Sequence, residues 1–254
     1  MPSPETPPPR AASATTDDDT TILTPAESEP LLGRPGDAIQ KPNASLITNL
    51  WLGTGWLALT GLTLLIALIY SALFTHPRFP LLTPHPALQT LGTVSLTLAI
   101  LILQPTATPA AKAAGQKAHA ALQLLSLLLF TAGIAVIETN KRVNHLEHFH
   151  SLHGYLGTLT GVLFALQYVF GFLMWAVPGV LGGEEKAKGL WKYHRWGGYG
   201  LLLSVLATLV SAAETDYVKK VLGVKTWAVA VAVLLVVAGT FPRIQVRKLG
   251  IHRD

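Results

Sequence analysis

Six long apolar stretches govern what this chain can fold into. They lie at about 47–73, 84–104, 118–138, 153–177, 194–213 and 225–241. A helix rises about 1.5 Å per residue and bilayer hydrocarbon is about 30 Å thick, so each stretch is long enough, or nearly so, to cross. Backbone amides in lipid must be satisfied within the segment, which makes helices the fitting form. Charged residues fall almost wholly at the ends of the stretches, as the expense of burying charge in lipid requires. Composition agrees, with 50% hydrophobic and 13% charged residues in 254, against about 25% charged in ordinary soluble domains. The pattern predicts an all-α integral membrane protein with six transmembrane helices.

The flanks read differently. Residues 1–42 hold nine of the seventeen prolines and a charge balance of −4, and the remainder carries +9. Such a segment, rich in Pro, Ser, Thr and Asp, is not expected to form an apolar core. Residues 1–44 are therefore expected to be a disordered cytoplasmic tail, residues 45–241 the six-helix membrane domain, and residues 242–254 a short basic cytoplasmic tail. The start lacks the basic-then-apolar pattern of a signal peptide. Asn43-Ala44-Ser45 fits a glycosylation sequon, but it crowds the first helix and is expected to stay unmodified. With the N-terminus in the cytoplasm, 13 Lys and Arg fall on the inner side and 6 on the outer, so both termini are expected to be cytoplasmic. Plasma membrane and endomembranes obey the same rule and are not distinguished by it. No basic and aromatic run resembles a nucleic-acid surface, so no nucleic-acid partner is expected.

There is no cysteine, which excludes disulfides, c-type haem attachment, iron–sulfur clusters and thiolate chemistry. Any bound metal or haem then falls to histidine, of which there are nine. Four of them, His85, His119, His153 and His194, are expected in the first turns of helices two to five, at separations of 34, 34 and 41 residues. Consecutive helices run in opposite directions, which puts His85 and His153 near one face and His119 and His194 near the other. Two histidines at one depth can approach a porphyrin from opposite sides, and ligation by both leaves iron no open position. Such a centre suits electron transfer. The competing reading makes all four interfacial residues. Gly157 and Gly161 share a helix face with His153, and Gly198 follows His194 by four residues. They offer room for a flat macrocycle or, alternatively, close helix packing.

The sequence resembles the cytochrome b561 family of diheme transmembrane reductases. The resemblance rests on His85-Pro86, on Lys117-x-His119 in GQKAHAALQLL, on Ser151-Leu152-His153-Gly154, and on His194 with Gly198. It covers about 45–241 and is closer to the small subgroup named for a b561 domain than to the chromaffin-granule type. Gln123 and Gly154 depart from the latter, where a second histidine and a serine are common. The resemblance implies a central four-helix diheme bundle flanked by the first and sixth helices. It also implies two non-covalently bound haem b groups (iron protoporphyrin IX), one held by His85 with His153 and one by His119 with His194. The activity it implies is that of a transmembrane ascorbate-dependent reductase, passing electrons from cytoplasmic ascorbate to monodehydroascorbate or ferric iron on the outer or lumenal side.

Residues for donor and acceptor follow from charge. Lys112, Lys117, Lys192 and Arg195 cluster near the inner histidines and suit anionic ascorbate, with Lys117 foremost. The same charges serve equally as positive-inside anchors. On the outer side Lys141, Arg142, His145, Glu147, His148 and His150 precede His153. Arg142, His148 and His150 are candidates for contact with an anionic radical or a ferric chelate, and Glu147 with two histidines is a candidate metal site. The tryptophans fit interfacial anchoring, and Tyr168 and Phe172 fit core packing. Membrane lipid is the expected surroundings, and a homodimer stays open. The rival readings are a haem b membrane-anchor subunit for a partner oxidoreductase, or a non-redox membrane carrier or scaffold.

Overall fold

The computed structural model describes residues 38–250, with the side chains of Val246 and Arg247 left out. Most of the expected acidic tail and the last four residues lie outside this range. Six α-helices follow in order: α1 Gly55–Thr75, α2 Pro84–Leu103, α3 Pro109–Val143, α4 Leu152–Ala176, α5 Glu184–Ala212 and α6 Thr226–Thr240. A 3-10 turn, Leu46–Leu50, precedes α1, and a π-helical turn, Tyr217–Leu222, lies between α5 and α6.

Local chemistry explains the starts. The Thr108 hydroxyl accepts from the Ala111 amide at 3.2 Å, ahead of Pro109 at the first helical position. The Ser151 hydroxyl accepts from Gly154 in the same way at 3.2 Å. Both caps satisfy an N-terminal amide that has no partner within its helix. Glu184 and Glu185 occupy the first turn of α5, and Lys141 and Arg142 the last turn of α3, as the helix dipole favours.

Two expectations are corrected here. α3 and α5 begin about ten residues earlier than their apolar stretches, because AAKAAGQKA and EEKAKGLWKY form helix despite their polarity. His119 and His194 are each the eleventh residue of their helices, whereas His85 and His153 are each the second. The second correction concerns the fold class of six transmembrane helices with a central four-helix diheme bundle. Among the described residues five helices, not six, are long and apolar enough to cross a membrane: α1, α2, α3, α4, and α6 with the turn that continues it to Arg243. α5 fails because charged residues recur through its first half as far as Arg195 and leave a short apolar run after it. Nor do the described residues include any group of three or more His, Cys, Asp or Glu placed to hold a metal ion. The histidines come together only in pairs, so the fold on its own is a multi-span helical bundle and not a metal cluster.

The helices pack mainly in three neighbouring couples, α2 with α3, α1 with α6 and α4 with α5. Small residues let the first two couples approach closely, as is usual where lipid supplies no hydrophobic drive between helices. A Cβ on Gly239 would lie 2.1 Å from the Ala58 amide nitrogen, and one on Gly61 would lie 2.5 Å from the Ala232 carbonyl oxygen. Ser95 and Ser126 hydroxyls donate to the carbonyls of Leu122 and Gly92, at 2.7 and 2.8 Å. Between α4 and α5, Thr160 meets the Ser204 hydroxyl at 2.6 Å.

Within the stretch read as a basic tail, Phe241–Arg243 and Val246–Leu249 are 3-10 turns. Arg243 is buried, and its Nη2 donates to the carbonyls of Asn49 at 2.6 Å and Leu101 at 3.0 Å. Leu101 belongs to the last turn of α2, whose carbonyls lack helical partners and attract a cation. Arg195 and Trp196 donate to the carbonyls of Lys248 and Leu249, which fastens the same segment to α5.

Candidate functional site

The four histidines meet two by two. His85 and His153 have ring centroids 6.1 Å apart with planes at 76°, and His119 and His194 have centroids 6.4 Å apart with planes at 82°. The first pair lies where α2 and α4 begin. The second lies toward the end where α3 and α5 begin.

Each ring is held by the helix that neighbours its own. His85 Nδ1 donates to the Gly133 carbonyl at 2.9 Å, His119 Nδ1 to the Ala99 carbonyl at 2.9 Å, and His153 Nδ1 to the Thr208 carbonyl at 3.1 Å. A carbonyl oxygen can only accept, so in these three rings Nδ1 carries the proton and Nε2 keeps its lone pair. The fourth ring differs: its Nδ1 lies 3.0 Å from Nε2 of the Gln167 side chain.

A single interval of fourteen residues unites these contacts. α2 carries His85 and Ala99, α3 carries His119 and Gly133, α4 carries His153 and Gln167, and α5 carries His194 and Thr208. Each of these four helices therefore supplies a histidine at one level and, about 21 Å further on, the group that contacts a neighbour's histidine at the other level.

Beside His119 and His194 opens a cavity of about 700 Å³. Lys112, Lys117 and Arg195 line it, together with Gln123, Tyr168, Phe172 and Met174. Lys192 is not among the lining residues; its ammonium lies 5.0 Å from the centre of the Tyr193 ring. Gly171 is needed here, since a Cβ on it would lie 2.7 Å from Cε1 of His194. Gly157, Gly161 and Gly198 meet no backbone within contact range: added Cβ atoms would find only side-chain atoms, of Thr208, Ile134 and Gln167, at 3.7, 3.0 and 3.4 Å. Close backbone packing is thus not their role.

At the other end, Glu138 pairs with Arg142 at 2.7 Å and with His148 at 3.5 Å, and His150 Nδ1 donates to the Glu147 carbonyl at 3.1 Å. All three candidates are exposed next to the His153 end of α4. Glu147 forms no metal site with the loop histidines. Between α5 and α6, Lys219 and the Thr226 hydroxyl both bind Glu214 and hold its carboxyl below the usual range.

The sequence reading passed over Gln167, Gly171 and the aromatic pair Phe130–Phe164. Only the fourteen-residue interval marks Gln167 in the sequence, and that interval acquires meaning once the helix couples are known. Phe130 and Phe164 each follow a histidine by eleven residues, which a pattern search centred on histidine could have caught.

Fold and site together define a multi-pass membrane bundle that keeps two pairs of facing imidazoles at separate levels. A family model for eukaryotic cytochrome b561 matches residues 84–219, which is more than half of the chain and contains all four histidines. The chain belongs to the cytochrome b561 family, a family of b-type cytochromes. It is 30% identical over 96 residues to the lysosomal membrane ascorbate-dependent ferrireductase CYB561A3 of Mus musculus, covering 37% of this chain and 40% of that protein. It is 27% identical over 136 residues to transmembrane ascorbate ferrireductase 1 of Arabidopsis thaliana, covering 54% of each. Against ascorbate-specific transmembrane electron transporter 2 of Zea mays the identity is 24%, covering 54% of this chain and 55% of the other. These matches span between about two fifths and just over half of the relatives' own length.

The donor sets fit a haem b group. An ion held by side chains alone needs more ligands than either pair offers, but a porphyrin iron asks only two axial nitrogens of the protein. Each pair would offer two imidazole nitrogens to such a group. Their ring centres lie 6.1 and 6.4 Å apart.

Proposed function

We propose that this protein moves single electrons across a membrane, from cytoplasmic ascorbate to monodehydroascorbate or ferric iron on the outer or lumenal side. His85 with His153 would hold one haem b, and His119 with His194 a second. Haem b, when bound, supplies a one-electron iron couple with no position left open for oxygen. The observation that carries this reading is the meeting of four histidines in two pairs, with ring centres 6.1 and 6.4 Å apart.

The chain's own residues do the rest. Three backbone carbonyls fix the tautomer of His85, His119 and His153 and leave the Nε2 of each unprotonated. Lys112, Lys117 and Arg195 give the cavity beside His119 and His194 a positive mouth, which draws an anionic donor and orients it. Arg142, His148 and His150 give the opposite end a polar landing surface for an anionic acceptor or a ferric chelate. In this orientation the start of α3, with Lys112 and Lys117, is on the inner side.

Protein reconstituted in vesicles with ascorbate enclosed and a ferric chelate outside tests the proposal. About two haems per chain, reduced from within and reoxidised from without, is the expected result. Absence of haem absorption from the purified protein, or reduction that never reaches the outer chelate, overturns it.

A further inference from the structure

The cavity beside His119 and His194 carries two kinds of cation. Lys112 and Lys117 are exposed on α3, and a long flexible side chain of that kind attracts an anion without fixing its orientation. Arg195 is half-buried and clamped from two sides. Its Nη1 donates to the Lys248 carbonyl at 2.8 Å, and its guanidinium carbon lies 5.9 Å from the centre of the Trp191 ring, within cation–π range. A planar guanidinium held in one attitude presents its donors to an oxyanion with defined geometry.

The carbonyl that clamps Arg195 belongs to a strap. Beyond α6 and the turn to Arg243 the chain bonds to the end of α2 and then to α5, and Ile244, Gln245, Lys248 and Leu249 line the cavity on the way. The Lys248 ammonium donates to the Gln104 and Thr106 carbonyls, both at 3.1 Å, and the buried Gln245 amide donates to the Gln104 carbonyl at 3.3 Å. Trp196 Nε1 donates to the Leu249 carbonyl at 3.4 Å. Lys248 thus grips main chain just past α2 with its ammonium and holds Arg195 with its carbonyl. The strap lies outside residues 84–219, to which the family match extends.

We propose that Lys248 is a positioning residue for the electron donor: through the strap it anchors, it fixes the Arg195 guanidinium in the attitude that receives a small oxyanion beside His194. The inference rests on the proposed function, in which an anionic donor enters here. Lys112 and Lys117 gather the anion, and Arg195 orients it. Loosening the strap therefore weakens donor binding even where every charge in the cavity is retained.

The test is haem reduction by ascorbate in the full chain, for Lys248→Met, Lys248→Arg, Arg195→Gln and the double variant Lys248→Met with Arg195→Gln. Lys248→Met is expected to raise the half-saturating ascorbate concentration on the order of fivefold, the worth of about one hydrogen bond, with the limiting rate unmoved. Lys248→Arg should restore it, and the double variant should be no worse than Arg195→Gln alone. Losses that add in the double variant overturn the proposal, because Lys248 would then act by its own charge; an unmoved half-saturation point in Lys248→Met overturns it too. Gln245→Met loosens the same strap without removing charge and should shift half-saturation in the same direction. If Lys248→Met fails to assemble, Gln245→Met decides, and no shift there overturns the proposal.

A second readout needs no haem. The chain contains no cysteine, so Leu249→Cys places a single thiol on the strap. Its labelling by a maleimide should be slow, and several-fold faster when Arg195→Gln is added. An equal rate in the two backgrounds means that strap and guanidinium are uncoupled, which overturns the proposal. Wild-type protein that binds no haem, or that ascorbate does not reduce, instead overturns the underlying function, and the labelling result distinguishes the two failures.

Discussion

Phe130 and Phe164 meet edge to face, with ring centroids 5.1 Å apart and planes at 84°. Each lies eleven residues beyond a histidine, Phe130 after His119 and Phe164 after His153, so the contact fills the space between the two histidine levels. Both are buried, and a Cβ on Gly92 would lie 2.6 Å from the Phe130 ring. Phe130→Ala should leave a cavity that packed helices cannot close, destabilising the bundle by on the order of 3 kcal/mol. Gly92→Ala should destabilise it through overpacking. Thermal unfolding in detergent checks both, and an unchanged midpoint for Phe130→Ala would show that the contact is not a packing keystone.

The pairing of histidines predicts a non-additive pattern of loss. His85→Ala and His153→Ala should each remove the same haem, leaving about one per chain, and the double variant should remove no more. His119→Ala and His194→Ala should remove the other. Haem content per chain with difference spectra checks this; loss of both signals from any single substitution would contradict separate centres.

Lys117 and Lys192 are alike in the sequence but not in place. Lys117 lines the cavity beside His119, whereas Lys192 points to Tyr193 and does not. Lys117→Ala should slow reduction by ascorbate on the order of tenfold at low salt, with the difference shrinking as salt rises. Lys192→Ala should leave the rate near wild type. Stopped-flow reduction across a salt series measures both, and equal slowing by the two variants would mean that general surface charge, and not the cavity mouth, governs the donor.

Glu214 ties the end of α5 to Lys219 and to Thr226 at the start of α6. Its folded carboxyl titrates below the ordinary range because of those bonds. Protonation is thereby disfavoured in the folded state, so the contribution to stability is present at neutral pH and falls away as pH drops through the lowered folded value. Glu214→Gln should accordingly lower the unfolding temperature at pH 7 more than at pH 3. A difference that grows on acidification would refute the assignment.

Much of this was legible in the apolar stretches and the histidine spacing, and the reasons for the exceptions are physical. Pro84 and Ser151 mark the starts of α2 and α4; Ser151 caps its helix, whereas the Thr83 hydroxyl, read as a cap, makes no cap bond and accepts from the Phe79 amide. The starts of α3 and α5 are hidden because good helix formers such as Ala, Lys and Glu extend a helix without adding to its apolar run. The histidine couples followed from depth alone, since alternating helix direction leaves few partners at each level. Gln167 was illegible because its role depends on which helix faces α4, and that is settled by packing and not by local pattern. Arg243 looked like one more charge in a basic tail; only the bare carbonyls at the end of α2 give it a buried place.

The fourteen-residue interval has a consequence for how such a bundle can change. Inserting one residue between His85 and Ala99 would turn the two by about 100° relative to each other. Either the ligand or the support it lends to α3 would then face the wrong way. Because α2 and α3 support one another reciprocally, and α4 and α5 likewise, no one helix can lengthen inside the interval on its own. The distance between levels behaves as a fixed gauge, alterable only by whole turns added to four helices together. Adaptation to a thicker or thinner bilayer is left to the segments outside it.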